Sequence, residues 1–298
     1  MKLAFLISAH TSPANLARLV NSLPEGSEFF IHIDAKSDIK QFTECLSAPN
    51  VHYISQRFNV AWGSFIEVEY QMALIREAIS YCRFDYLVTL SGLDYPLWSN
   101  ERITEFFANA NGKNFIQGIR MTSSDPASQV YRDFRFFSNR HWQGGSVGSM
   151  FRVALRKAVS AAGIHKSLTI HTDSKEYKLY KGAAWWAITF DLALHTLKEF
   201  NINRRLTDYF RTSFCPAETF VQTVAFNSRF ANSCMLAEGN YQSLAALTPL
   251  TYIYYNPTIK ILTEEDYDTL KASDKMFCRK TIIGTSDALM DMIDADRK

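Results

Sequence analysis

The stretch KLAFLISAHTSPANLARLVNSLPEGSEFFIHID, residues 2–34, decides the fold class. It begins with an apolar run over 2–9 that has the length and composition of a buried strand. Thr11-Ser12-Pro13 then supplies a helix start, with proline at the first helical position. A second apolar run over 28–34 closes the unit. A strand, a helix and a strand in this order predict a βαβ unit on a parallel sheet.

The same alternation continues through the first third of the chain. A short third strand is predicted over 51–55, and Ser64 and Glu67 have the Ser-x-x-Glu spacing of a capping box, which predicts a helix to about Tyr81. A buried strand over 85–90 then delivers Ser91-Gly92-Leu93-Asp94-Tyr95-Pro96-Leu97 to the carboxyl edge of the sheet. Ligands of open α/β sheets bind at that edge, so we expect the site there.

The pattern changes after a further helix and a strand over 114–119. Residues 120–148 form an irregular stretch rich in Arg, aromatic residues and Ser, and helices from Phe151, Asp191 and Pro216 follow. No internal repeat or low-complexity linker separates the halves. We therefore predict one α/β domain over 1–298, Rossmann-like, with a mostly parallel central sheet flanked by helices. Its βαβ part spans 1–119, and 120–298 elaborates it.

Composition excludes several classes of protein. Thirty-two basic and thirty acidic residues give a net charge of +2, which does not suit a nucleic-acid-binding surface. The five cysteines are odd in number and contain no CxxC pair, which favours neither a disulfide framework nor a zinc site and suits a cytoplasmic protein. The apolar run after Lys2 is too short for a signal peptide, and no run approaches the ~18–20 apolar residues of a membrane span. Any membrane contact is expected to be peripheral.

The common nucleotide-binding and metal-binding motifs are missing or explained by helix ends. GxGxxG and GxxxxGK[ST] are both absent, and the glycines at Gly144, Gly145 and Gly148 follow no strand, so they predict a flexible loop. Asp-x-Asp occurs at 266–268, in the first turn of a helix capped by Thr263, and at 294–296, near the C-terminus. Solvated helix faces explain both better than a metal site does. We expect neither a metal nor a cofactor.

Glu218 is the carboxylate with the most suitable setting for chemistry. It lies in the predicted first turn of a helix that Pro216 opens, where the dipole favours an ionised side chain. An ionised carboxylate beside a hydroxyl is suited to general-base catalysis. The alternative is an acid that only favours the dipole. Arg279 and Lys280 are adjacent cations that suit an anion, although paired surface cations are common.

Two aromatic stretches are candidates for ligand contact. Trp185 and Trp186 are predicted on a short strand over 185–189, so they point to opposite faces: one packs in the core and the other can stack on a sugar ring. The Arg-rich and aromatic stretch 131–142 resembles a single-stranded nucleic-acid platform, but the near-neutral charge favours acceptor contacts or a lid. The seven histidines show no metal-ligand spacing and are expected to be structural.

Taken together, the motifs resemble the core-2/I-branching β-1,6-N-acetylglucosaminyltransferase family, which also contains the peptide O-xylosyltransferases. The resemblance extends over most of the chain, and it is the order and spacing of the motifs that make it specific. The motifs are Ile31-His32-Ile33-Asp34-Ala35-Lys36-Ser37-Asp38, Trp62-Gly63-Ser64, Ser91-Gly92-Leu93-Asp94-Tyr95-Pro96-Leu97, Lys181-Gly182-Ala183-Ala184-Trp185-Trp186, Pro216-Ala217-Glu218 and Phe277-Cys278-Arg279-Lys280.

The resemblance implies a GT-A-like fold and an inverting, metal-independent enzyme with a UDP-sugar donor. It implies that 1–119 binds the nucleotide sugar and that 120–298 binds the acceptor and carries the base, Glu218, the glutamate of the family's Pro-Asp-Glu motif. The predicted donor-binding residues are Asp34, Trp62, Ser64, Asp94, Arg279 and Lys280. The predicted acceptor-binding residues are Gln117, Lys181, Gly182, Trp185 and Trp186.

Three positions depart from the family pattern. Ala217 replaces the aspartate of Pro-Asp-Glu, and Thr251 replaces an arginine of a late strand, a loss for which Arg279 would compensate. Gln117 stands where branching enzymes offer a glutamate to the acceptor. The animal members are lumenal, with disulfides and a membrane anchor. This chain resembles instead a bacterial cytoplasmic relative, acting at most at the inner face of the membrane.

The predicted reaction is transfer of GlcNAc from UDP-GlcNAc to a hydroxyl of an acceptor glycan, forming a β-linked branch in a surface polysaccharide. Two alternatives stay open. One is xylosyl transfer from UDP-xylose. The other is a catalytically silent protein that binds a nucleotide sugar or a glycan, which Ala217 and Thr251 suggest. Nucleic acid is not expected as a partner.

Overall fold

The computed structural model describes residues 1–173, 175–256 and 258–297. The strands are β1 Leu3–Ala9, β2 Glu28–Ile33, β3 Val51–Tyr53, β4 Tyr86–Ser91, β5 Asp94–Pro96, β6 Gln117–Arg120, β7 Thr169–His171, β8 Glu176–Lys178, β9 Tyr180–Gly182, β10 Ala187–Thr189, β11 Met235–Ala237, β12 Thr251–Ile253 and β13 Phe277–Arg279. The α-helices are α1 Pro13–Asn21, α2 Ile39–Cys45, α3 Ile66–Tyr81, α4 Asn100–Ala108, α5 Gln129–Arg132, α6 Val147–Ala161, α7 Phe190–Ile202, α8 Arg204–Arg211, α9 Phe220–Phe226, α10 Tyr267–Ala272 and α11 Asp287–Asp296.

The central sheet has five strands in the order β10-β4-β1-β2-β3. β1 is parallel to both β2 and β4, β2 is parallel to β3, and β10 runs antiparallel to β4 at the edge. The chain therefore leaves β1 on one side for β2 and returns on the other side for β4. This reversal opens a crevice at the carboxyl ends of β1 and β4. The predicted α/β fold with a mostly parallel sheet is confirmed.

Helices cover both faces of this sheet because the side chains of each strand alternate between them. In β1, Phe5 and Ile7 point to the face that α1 and α4 cover, whereas Leu6 points to the face that α3 and α7 cover. All three are at most 1% exposed. Burial of each such side chain stabilises the fold by about 1.5–3 kcal/mol. Two apolar layers therefore hold the sheet between the helices.

Three smaller sheets complete the fold. Their strand orders are β11-β6-β9, β12-β13-β5 and β7-β8. β5 runs antiparallel to β13 with Asp94 opposite Arg279, so a residue of the first third is paired with one near the end of the chain. β10 likewise joins the central sheet from the second half. The single-domain organisation stays a prediction, and strand pairing across residue 119 supports it.

The start of α3 differs from the predicted capping box. The helix begins at Ile66, and the Ser64 hydroxyl is buried without a hydrogen bond to any described residue. The reason is a tight turn in which the Ser64 N–H is bonded to the Ala61 carbonyl, which displaces Ser64 from the capping position. Glu67 instead accepts a hydrogen bond from the Gly63 backbone. The Thr263 cap, in contrast, is confirmed, with a reciprocal capping box to Asp266.

Other predicted elements shift in type or position. The strand predicted over 114–119 runs from Gln117 to Arg120 and joins the β11-β6-β9 sheet, while only Phe115 bridges to the central sheet. The helix predicted from Pro216 is a 3-10 turn, Pro216–Glu218, which Thr219 separates from α9. Within the described residues, no helix combines the length and the apolar character that crossing a bilayer requires.

Candidate active site

A cavity of about 1400 Å³ lies at the carboxyl edge of the central sheet, where the sequence predicts a site. Ser8, His32 and Ser91 line it from the ends of β1, β2 and β4, which meet there because these strands are parallel. Six of the predicted site residues line this cavity: Asp34, Trp62, Lys181, Trp185, Glu218 and Arg279. The fold therefore gathers into one cavity residues that are up to 245 positions apart, from 34 to 279.

Glu218 is held by a buried lysine. The Lys181 ammonium donates to Oε2 of Glu218 at 2.6 Å and also to the Gly182 carbonyl. Lys181 is 1% exposed, whereas the Glu218 side chain is 23% exposed and faces the cavity. No described residue donates a hydrogen bond to Oε1 of Glu218. One carboxylate oxygen is thus fixed by a cation, and the other is available to a ligand hydroxyl.

Arg279 is fixed by a buried carboxylate on the neighbouring strand. Asp94 is 0% exposed and accepts hydrogen bonds from the Arg279 guanidinium at 2.7 Å, the Trp185 indole at 3.0 Å and the Ser91 backbone at 2.8 Å. The guanidinium carbon lies 5.0 Å from the centre of the Trp185 ring. Asp94 therefore positions both a cation and an aromatic ring that line the cavity.

The end of the cavity near β1 and β2 is rich in cations. Burial lowers the pKa of His10, Asp34 opposes this, and Arg279, Lys36 and Lys280 lower the pKa further. Burial also lowers the pKa of His32, to about 4, so its ring is neutral at pH 7. A neutral histidine surrounded by three cations marks a place suited to an anionic ligand.

Asp34 stays ionised among these cations. Burial raises its pKa, but the backbone and side-chain hydrogen bonds from Lys36, both 2.9 Å long, outweigh burial and hold the pKa below its usual range. Asp34 is 6% exposed and follows β2 directly. An ionised carboxylate at this position can accept hydrogen bonds from a base or a ribose.

Glu67 is a second acidic residue of the cavity, and sequence analysis assigned it only to a helix cap. Burial raises its pKa to about 8, the hydrogen bond from the Gly63 backbone opposes this, and the charge of Glu218 raises the pKa further. Glu67 is therefore protonated at neutral pH and offers an O–H donor. The Ser-x-x-Glu spacing was the available signal, but it did not show that the side chain faces a cavity.

Aromatic side chains form much of the remaining wall. Tyr70, Tyr131, Tyr241 and Tyr254 line the cavity, and the Lys181 ammonium lies 5.4 Å from the centre of the Tyr241 ring. Trp62 is 80% exposed, at the edge of the cavity. Such rings offer flat apolar faces and hydroxyl groups, the combination that sugar rings require. Sequence analysis missed these tyrosines, since nothing local sets them apart from other core tyrosines.

Comparison with known families supplies the remaining observation. The family model described as Core-2/I-Branching enzyme matches residues 3–271. This chain belongs to the Core-2/I-Branching enzyme family. The resemblance seen in the order of the motifs is thereby confirmed.

Individual relatives of this Core-2/I-Branching enzyme are sugar transferases. It is 22% identical over 220 residues to "Xylosyltransferase sqv-6" of Caenorhabditis elegans, covering 70% of this chain and 24% of the relative. It is 23% identical over 126 residues to a human N-acetyllactosaminide beta-1,6-N-acetylglucosaminyl-transferase, covering 39% of this chain and 31% of the relative. The chain therefore spans a quarter to a third of the length of these curated relatives. The family is one of glycosyltransferases.

Among solved structures, the Core-2/I-Branching enzyme has a weak likeness to mannose-1-phosphate geranyltransferase from Thermus thermophilus. The TM-score is 0.28 and the identity is 12%, over 70% of this chain and 67% of that chain. The fold class rests on the strand order of the chain itself.

Some predicted donor-binding residues of this Core-2/I-Branching enzyme do not line the cavity. Ser64 is 0% exposed and Asp94 is equally buried, so their side chains do not reach a donor. The position of Asp94 suits an indirect role through Arg279. The Lys280 side chain is half-buried beside the cavity, close enough for its charge to lower the pKa of His10. Direct donor contact by Ser64 and Asp94 is thus corrected to structural positions.

Predicted acceptor-binding residues divide in the same way. Trp186 is 1% exposed in the core and Trp185 lines the cavity, as expected for neighbours that point in opposite directions. Gln117 and Gly182 pair closely on β6 and β9, outside the cavity lining. A Cβ atom on Gly182 would collide with the Gln117 carbonyl, so this glycine permits close packing. Acceptor contact by Trp186, Gln117 and Gly182 is therefore corrected to structural roles.

Both Asp-x-Asp pairs are engaged in the fold. Asp266 accepts from the Lys260 ammonium at 2.6 Å and caps its helix, and Asp294 accepts from the Arg18 guanidinium at 2.8 Å. Asp296 pairs with Lys271 at 2.8 Å. Within the described residues, no group of three or more His, Cys, Asp or Glu side chains is arranged to hold a metal ion.

Two of the departures from the family pattern lie in different settings. Ala217 is 3% exposed and lines the cavity beside Glu218, so a carboxylate there would stand next to the base. Thr251 is 1% exposed on β12 and does not line the cavity. Arg279 occupies the next strand, opposite Ile253, and its guanidinium reaches the cavity. The loss at residue 251 therefore leaves one guanidinium in place.

Proposed function

We propose that this protein is an inverting glycosyltransferase that moves GlcNAc from UDP-GlcNAc to a hydroxyl of an acceptor glycan, forming a β-linked branch in a surface polysaccharide. The observation that carries the proposal is the pairing of Glu218 with Lys181, which leaves Oε1 facing a cavity that Arg279 also lines. A carboxylate base and a cation in one cavity match the two charges that develop during sugar transfer. Membership of the Core-2/I-Branching family supports the reaction class.

The proposed reaction is a direct displacement. Oε1 of Glu218 takes the proton of the acceptor hydroxyl, whose oxygen forms a bond to the anomeric carbon. The bond from that carbon to the β-phosphate oxygen breaks on the opposite face, so the configuration inverts. UDP leaves with the electron pair, and Arg279 and Lys280 stabilise its charge. The cations near His10 support a diphosphate at this end of the cavity.

Metal independence is part of the proposal. Its support is the cationic end of the cavity, where Arg279, Lys36 and Lys280 all lie close enough to lower the pKa of His10. Fixed cations stabilise a leaving diphosphate in the way that a divalent ion does elsewhere. No cofactor is assigned, and the UDP-sugar is a substrate. A cytoplasmic location and a bacterial source stay predictions.

Xylose is the second candidate for the transferred sugar. The relative from Caenorhabditis elegans that covers 70% of this chain carries the name xylosyltransferase, whereas the human acetylglucosaminyl relative covers 39%. The two donors share the UDP group that the cationic end would bind. They differ in the sugar, so only a comparison of donors distinguishes them.

Release of UDP from a panel of donors tests the proposal. Purified protein is incubated with UDP-GlcNAc or UDP-xylose and a mixture of acceptor glycans, with EDTA and without it. We expect UDP release with one donor, unchanged by EDTA. Loss of activity on chelation, reversed by added Mn²⁺ or Mg²⁺, would contradict metal independence. Binding of UDP without turnover of any donor would favour the silent binding protein.

A further inference from the structure

The segment between Asp133 and Asp173 has an unusual charge. Residues 134–172 contain six Lys and Arg residues and no Asp or Glu, so the rest of the chain has 26 basic and 30 acidic residues. The six are Arg135, Arg140, Arg152, Arg156, Lys157 and Lys166. A chain with a net charge of +2 therefore concentrates a charge of +6 in one segment. Local charge of this density attracts anionic surfaces even where the total charge is small.

The helix α6 in this segment turns an apolar face to solvent. Val147, Met150 and Phe151 are 85%, 64% and 54% exposed, and Ala154 and Ala158 are exposed as well. Their spacing of i, i+3, i+4, i+7 and i+11 places them on one face. No residue of α6 is buried. A surface helix normally turns its apolar stripe toward the core, so this face has no partner in the fold.

Cations accompany this apolar face without acidic partners. Arg140, Arg152, Arg156 and Lys157 form no ion pair with any described residue, and Lys157 is exposed on α6 itself. Burial lowers the pKa of Arg135, and the nearby charges of Arg156 and Arg152 lower it further, although Asp133 opposes them. The guanidinium of Arg140 lies 5.8 Å from the centre of the Phe137 ring, which is 43% exposed. Anions that balance these charges must come from outside the fold.

We propose that the exposed face of α6 and the loop before it, residues 137–146, dock on an anionic lipid bilayer. Val147, Met150 and Phe151 enter the boundary between head groups and acyl chains, and Arg140 and Lys157 contact lipid phosphates. Exposed apolar residues flanked by cations are the combination by which interfacial helices bind membranes. The docking surface goes beyond the sugar transfer proposed above and does not depend on it.

Charge selects the bilayer over other occupants. In a symmetric contact with a second copy, each cation would face the same cation of the partner, which is unfavourable. A nucleic acid would engage the cations and aromatic rings but would leave the aliphatic Val147 and Met150 in water. A bilayer with anionic lipids satisfies both the apolar face and the cations.

The position of the surface relates it to the cavity. Tyr131 and Asp133, just before the basic segment, line the cavity. His141, within the loop, lies 3.4 Å from the Lys36 ammonium, which also lines it. A docked protein would therefore hold the cavity near the lipid surface. This arrangement fits an acceptor glycan that is presented at a membrane.

Vesicle co-sedimentation of the full chain tests this surface. The probe is phosphatidylcholine vesicles with or without phosphatidylglycerol, at low and high salt. We expect binding to the anionic vesicles only, weakening as salt rises. Met150→Gln with Phe151→Gln should weaken the partition coefficient about tenfold, because two apolar side chains no longer enter the boundary. Arg140→Glu with Lys157→Glu should abolish the preference for anionic lipid.

Matched variants on other faces control for general surface effects. Leu194→Gln with Ile202→Gln changes two apolar side chains of α7 that are 47% and 65% exposed, and Lys40→Glu with Lys198→Glu reverses two exposed cations. Both should bind vesicles like the wild type. Equal binding by all five proteins would overturn the proposal. So would a concentration-dependent dimer that Met150→Gln with Phe151→Gln abolishes, or oligonucleotide binding, in the absence of any vesicle binding.

Discussion

The Lys181 ammonium lies 2.6 Å from Oε2 of Glu218, and it is far more deeply buried than the carboxylate it contacts. The lysine cannot reach solvent as an alternative partner. A fully buried cation that loses its counter-charge is costly, so the pair is constrained to stay together. This constraint fixes the direction of Oε1 toward the cavity.

Replacement of Lys181 by methionine tests that constraint. We expect kcat to fall about 10–100-fold with little change in KM, because the carboxylate loses its orientation rather than its substrate. The free energy of unfolding should fall by about 1–3 kcal/mol. Adding Glu218→Gln to Lys181→Met should recover part of that stability, since no unpaired charge is then left in the pair. Strict additivity of the two stability effects would contradict the coupling.

Asp94→Asn tests the indirect role of the buried aspartate. Without the carboxylate, the Arg279 guanidinium loses its anchor, so we expect the Kd for UDP, measured by calorimetry, to rise about tenfold, the effect of about 1.4 kcal/mol. Asp191→Asn is the matched control, because Asp191 pairs with Arg83 at 3.0 Å on the exposed surface. An unchanged UDP affinity in Asp94→Asn, together with a loss in Arg279→Gln, would show that Arg279 needs no anchor.

Glu67→Gln tests the protonated carboxyl group in the cavity. The native pKa of about 8 lies above the unfolded value of 4.5, so the native state holds a proton that the unfolded chain releases. Wild-type stability from this group is present below about pH 5 and is lost as the pH rises to about 8, by on the order of 2–4 kcal/mol.

Chemical denaturation at several pH values measures this loss. The stability difference between Glu67→Gln and the wild type should grow in favour of the variant as the pH rises. Glu77→Gln changes an exposed acid of the same helix and should leave the pH dependence unchanged. A constant difference between Glu67→Gln and the wild type over this range would rule out the raised pKa.

Gly182→Ala tests the structural role of this glycine. The added Cβ would meet the Gln117 carbonyl and the Gln222 side chain, so β6 and β9 must separate. We expect a loss of about 2–4 kcal/mol in thermal or chemical unfolding. Gly144→Ala is the control, because nothing lies within 4 Å of a Cβ there. A Gly182→Ala protein of native stability with altered acceptor preference would restore the predicted acceptor contact.

The sequence predicts the layered part of the fold well because periodicity is local. Apolar runs mark β1, β2 and β4, and Pro13 marks the start of α1. The opposite orientations of Trp185 and Trp186 follow from strand geometry alone and are confirmed by their exposure, although the two residues directly precede β10. Family resemblance, not periodicity, selected Glu218.

The remaining features depend on contacts between distant residues. Nothing near Lys181 indicates that its ammonium meets Glu218, 37 residues later. Asp94 has the residue type of a ligand contact, yet its pairing with Arg279 depends on β5 and β13, 185 residues apart. The Ser-x-x-Glu spacing was correct as a pattern, but the tight turn at Ser64 left Glu67 free to face the cavity.

The central claim is that Glu218 is the general base, and turnover of Glu218→Gln tests it most directly. UDP release with the active donor is measured for the variant and the wild type, with UDP affinity and thermal unfolding as checks on binding and fold. The account predicts a fall in kcat of about 10²–10⁴-fold, with UDP affinity and fold retained. Near-wild-type turnover by a folded Glu218→Gln protein would contradict it.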